Sequence, residues 1–82
     1  MPTETPDDRR VRALADWQAA IGDQDALLKS PETYTSTLVG RAKLAMSQGV
    51  ITAEDLGELL ELADAAYEWA VEERITRGLV DD

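Results

Sequence analysis

The chain has 82 residues and a formal net charge of -9, with 44% apolar residues and neither cysteine nor histidine. Disulfides, thiolate or imidazole metal sites and every nucleophile or acid/base system built on Cys or His are therefore excluded, and the charge opposes direct binding to nucleic acid or an anionic membrane. One domain of this size holds a small core, and the apolar fraction is too high for a disordered chain.

Residues 1–5 read as a frayed N-terminus without a signal sequence or an apolar run of membrane-spanning length, so a cytoplasmic location is the expectation. Thr5-Pro6-Asp7-Asp8 supplies a cap, a proline at the first helical position and two acids for the positive end of a helix. A first helix is expected over 6–21, with Val11, Leu14, Trp17 and Ile21 in one stripe, Ala13 and Ala20 alongside, and Gly22 ending it. Arg9, Arg10 and Arg12 form the basic cluster of the chain. In so acidic a protein they are expected to pair internally with carboxylates rather than to form an RNA-binding arm.

Asp23 or Asp25 can cap a short turn near 25–29 that carries Leu27 and Leu28. Ser30-Pro31-Glu32 repeats the cap-and-proline signal, and a second long helix is expected over 31–48, ending at Gly49. Its apolar stripe is Tyr34, Leu38, Ala42, Ala45 and Met46. Thr33, Thr35, Ser36 and Thr37 are weak helix formers, and Gly40 in mid-helix is expected to mark a close helix crossing rather than a hinge.

The last stretch is the longest. Thr52 and Asp55 fit a capping box, Ile51 and Leu56 a hydrophobic staple, and Gly78 a left-handed stop with Arg74 and Arg77 in the final turn, giving a helix over 53–77. Leu56, Leu59, Leu60, Ala63, Ala66, Tyr67, Ala70, Val71 and Ile75 follow helical spacing on one side. Leu62, Ala65 and Trp69 widen that side. Eight acids stand between Lys43 and Arg74 with no Lys or Arg among them, and Glu54, Glu58, Glu61, Glu68 and Glu72 recur at helical steps. Like charges at these steps are unfavourable for an isolated helix, so the row points to a cationic partner; its plainer role is to keep the protein soluble.

Ala45 to Val50 with Thr52 and Leu56 resembles the turn of a helix-turn-helix, but the following helix would present Glu54, Glu58 and Glu61 to phosphate. Gly49, Val50, Ile51, Thr52, Glu54 and Asp55, within Leu44 to Leu60, resemble the SHOCT-type oligomerisation pattern, whose usual basic residues do not follow here. The acids share a helix face but lack ligands from a second element, a calcium-loop signature or Glu-x-x-His motifs, so no metal or other cofactor is expected.

The expected fold is all-α: a small three-helix bundle in one domain, with one long C-terminal helix, which a second copy could complete. The expected function is non-enzymatic binding of a basic protein surface by Glu54, Glu58, Glu61, Glu68 and Glu72, with Trp69 as an aromatic anchor. Such a protein would act as an inhibitor or regulator. Small acidic helical proteins of phages and mobile elements, including some anti-CRISPR proteins, are similar in composition, although no motif is shared. The alternative is a homodimeric structural or assembly module with Leu62, Ala66 and Trp69 in its seam.

Overall fold

A computed structural model of the chain describes residues 5–78. It contains four helices, α1 (Pro6–Ile21), α2 (Gln24–Lys29), α3 (Pro31–Ser47) and α4 (Ala53–Thr76), and the fold is all-α as expected. Of the expected frayed residues 1–5, residues 1–4 lie outside the described residues, as does the segment after Gly78, whereas Thr5 is placed as the cap of α1.

The helix boundaries follow local chemistry. Thr5 and Asp8 form a reciprocal capping box at α1, as do Thr52 and Asp55 at α4, each satisfying backbone N–H groups that the first turn leaves without partners. Asp23 caps α2 by accepting from the Ala26 N–H at 3.2 Å. Ser30 stands before α3, but its side chain makes no cap bond, and Pro31 alone sets that start. The end of α3 is a Schellman turn: Gly49 has φ of 76°, its N–H donates to Met46 O and the Val50 N–H reaches Ala45 O. Gly78 has φ of 72° and closes α4 in the left-handed conformation expected of it.

The threonines of α3 are accommodated by bonding back one turn. Thr35 Oγ1 donates to Pro31 O and Thr37 Oγ1 to Thr33 O, which keeps their hydroxyls from competing for other backbone groups. Gly40 departs from the expectation of a close crossing. It is exposed, and a Cβ built on it would meet nothing within 4 Å.

The core is small and continuous. Trp17 and Ile21 of α1, Leu27 of α2, Leu38 and Ala42 of α3, Ile51 of the turn, and Leu59, Ala63 and Ala70 of α4 form one buried cluster. Two polar bonds set the seating of α1 against α3: Trp17 Nε1 donates to Leu38 O at 2.7 Å and Tyr34 Oη to Ala20 O at 2.8 Å. Arg10 reaches Asp55, while Ile21 lines a cavity with Ala66 and Trp69, so α1 runs parallel to α4. α3 lies antiparallel to both and makes the broadest contact with α4, and α2 closes the end of the core.

The molecule extends 53 × 25 × 15 Å. Twenty-four residues give α4 a length of about 36 Å at 1.5 Å per residue. Val11 and Ile75, expected in apolar stripes, are 62% and 63% exposed. At roughly 100° per residue, Ile75 stands about 160° from the midline of Asp55, Leu59, Ala63 and Ala70 on α4, and Val11 about 100° from that of Trp17 and Ile21 on α1, so both leave the core side.

Candidate functional site

α4 divides into two unlike faces. Asp55, Leu59, Ala63 and Ala70 are its buried residues, and at roughly 100° per residue they fall within an arc of about 80°. Glu54, Glu58, Glu61, Glu68 and Glu72 fall within a second arc of similar width on the far side, and all five are exposed. From Glu54 to Glu72 this row runs about 27 Å along the helix. Asp64 is exposed beside it.

The remaining acids of α4 are already used. Asp55, 5% exposed, accepts a forked pair of bonds from Arg10: Nε to Oδ2 and Nη2 to Oδ1, each at 2.7 Å. Its Oδ2 also accepts the Thr52 backbone N–H at 3.0 Å, so one carboxylate caps α4 and ties α1 to it. The Arg10 guanidinium, then the Thr52 N–H, hold the Asp55 carboxyl far below the usual carboxylate range, against the opposing effect of burial. Asp7 and Glu58 add to the negative field around Arg10. Glu73 pairs with Arg77 at 3.1 Å, one turn on. Among the described residues, the ion pairs of α4 acids are these two, and the five glutamates of the row take part in neither.

The sequence expectation of internal pairing for the arginine cluster holds at Arg10, whose partner is 45 positions away. Arg74 does more than face the negative end of its own helix. Its Nη1 donates to the Leu28 and Lys29 carbonyls, the latter at 3.0 Å, and so satisfies the C-terminal end of α2 from across the bundle.

Leu62 and Trp69 lie on the flank between the buried arc and the glutamate row, and Ala66 stands within the buried arc near that edge. Leu62 is 41% exposed, whereas Ala66 and Trp69 are half-buried and pack against the core. Trp69 therefore does not project as a free aromatic knob. It forms a wall of an open cavity of about 200 Å³ with Ala66, Ile21, Gly22, Gln24 and Leu27. That cavity was not legible in the sequence, because it arises where the end of α1 and the start of α2 meet α4. A second groove, about 240 Å³, has Ala13, Trp17, Ala42 and Leu59 in its lining together with Asp16 and Arg41. The buried Leu59 points away from the glutamate row, so this groove belongs to the other side of α4.

Among the described residues no group of three or more acids is placed to hold a metal ion. No helix among them is long and apolar enough to cross a membrane. No protein-family model, curated protein or solved structure matches the chain. The likeness of Gly49 to Asp55 to the SHOCT-type pattern coincides with a Schellman turn followed by a capping box, a combination that local backbone chemistry accounts for.

Proposed function

We propose that the protein acts by stoichiometric binding, laying the glutamate row of α4 against a basic surface of another protein. The observation that carries this reading is the division of labour among the acids. Asp55 and Glu73 have basic partners, while Glu54, Glu58, Glu61, Glu68 and Glu72 form one exposed row with no ion pair among the described residues. A long row of one sign raises the local concentration of cationic groups and speeds their encounter. Where the partner's basic surface is itself a nucleic-acid site, occupation by this row would be inhibitory, as expected of an accessory regulator. No catalytic step is assigned to any residue.

A homodimeric module with Leu62, Ala66 and Trp69 in its seam is the second reading, and the exposure of Leu62 favours it. Against it stands charge. Each copy would bring Glu58 and Glu61 to the margin of that seam, with no basic residue on α4 before Arg74.

The two readings separate by mutation. Affinity capture from the native source is expected to retain a basic protein at low salt and shed it at about 0.5 M, where screening acts over only a few ångströms. A Glu58→Lys, Glu61→Lys, Glu68→Lys variant should lose that protein and Leu62→Glu should keep it. Undiminished capture by the charge-reversed variant would remove the acidic-face reading. Self-association abolished by Leu62→Glu would favour the dimer.

A further inference from the structure

The cavity beside Trp69 adjoins the glutamate row without being part of it. Its lining is apolar apart from Gln24 and contains no basic residue: Ile21 and Leu27 are buried core residues whose surfaces face it, and Ala66 and Trp69 come from the edge of the buried arc of α4 and the flank beside it. Gly22 contributes no side chain to its mouth. Glu72, one turn after Trp69, is an exposed member of the row, and Asp23 and Asp25 bracket Gln24 at the α2 end, so the approach to an apolar hole is acidic. A volume of about 200 Å³ exceeds the roughly 150 Å³ that admits a benzene ring in a protein interior.

We infer that this cavity is a socket for one apolar side chain of a cationic helix lying along the glutamate row. The inference rests on the acidic-face reading and adds a short-range component to it. Charge complementarity fixes the occupant: an acidic approach admits an apolar knob most readily when Lys or Arg residues flank it on the partner. The two parts have different duties. The row supplies attraction that salt screens, and the socket supplies apolar burial that salt does not screen. Trp69 is then a wall of the hole that receives the partner, and the anchor belongs to the other molecule.

The test uses two synthetic probes: a lysine-rich amphipathic helical peptide with a single leucine, and the same peptide with alanine in its place. Titration calorimetry on the full chain measures both at about 20 mM and about 0.5 M salt. The leucine peptide should bind about tenfold more tightly at low salt, a ratio set by burying its extra methylenes. The ratio should persist at high salt while both affinities fall. Ala66→Leu, which fills the cavity from within without changing charge, should bring the ratio below about twofold and leave the alanine peptide's affinity unchanged. The peptide substitution itself does not depend on how well that variant folds. Equal affinity of the two peptides for the unaltered protein, or a ratio preserved in Ala66→Leu, overturns the socket; salt-sensitive binding of both peptides would then leave the acidic-face reading standing. No binding of either peptide at low salt overturns both.

Discussion

At the scale of the residue, Asp55 carries two structural duties through one carboxylate. It completes the cap of α4 and receives the fork of Arg10, so its charge is required by two elements at once. Because the folded state holds its proton affinity far below the unfolded value of about 3.9, the stabilisation is fully present above about pH 4. It is lost as pH falls through the depressed folded value, since a protonated Asp55 accepts poorly from Arg10. Asp55→Asn imitates that protonated form. The gap in melting temperature between the parent and Asp55→Asn is therefore expected to be constant from neutral pH to about pH 4 and to shrink steadily below it. Arg10→Met, which leaves the cap intact, should show a smaller gap that closes over the same range. Thermal melts followed by circular dichroism across that range check the sign: a gap that widens in acid would mean that the pair is not a source of stability.

At the scale of the element, most of the fold was legible because helix starts and stops are written within a few residues. Thr5-Pro6, Thr52 with Asp55, Gly49 and Gly78 all act through groups within one turn, and each operates where the sequence placed it. What depends on distant neighbours was not legible. Val11 and Ile75 fail for a local reason instead: steps of three and four drift around a helix and carry both off the core side. The composition of the arginine cluster cannot say that Arg10 is the member that reaches Asp55, since that depends on the parallel seating of α1 against α4. Among the candidate site residues, the glutamates were legible as a row because periodicity alone separates them from the buried arc. The cavity beside Trp69 was not, because three helices make it.

Gly40 illustrates the same limit and yields a test. A glycine in mid-helix costs about 1 kcal/mol relative to alanine, and a close crossing would justify it, yet its Cβ position is open and its φ is not positive. Gly40→Ala is therefore expected to stabilise the protein by up to about 1 kcal/mol, whereas Gly49→Ala, forced into φ of 76°, should destabilise it by about as much. Denaturant melts of the two variants decide the matter. Destabilisation by Gly40→Ala would restore a packing or hinge role for that glycine.

At the scale of the whole molecule, a net charge of -9 on an elongated frame sets stability and binding against each other. The glutamate row is drawn out along one helix and has no ion-pair partner among the described residues, so its members repel one another in the free protein. A cationic partner would relieve that repulsion on binding, and added salt should relieve it without a partner. The melting temperature is therefore expected to rise between about 10 mM and about 0.5 M sodium chloride, as the screening length contracts from tens of ångströms to a few. Screening also weakens Arg10–Asp55, but that pair has a 5% exposed carboxylate and forked geometry, and it is screened less than the row. Replacing Glu58, Glu61 and Glu68 with glutamine removes part of the repulsion directly. That variant should melt higher than the parent at low salt and respond less to added salt, so that the two curves converge near 0.5 M. Curves that stay parallel would locate the repulsion outside α4. A melting temperature that falls with salt would mean that attractive pairs outweigh the row, and its exposure would then impose no strain for a partner to release.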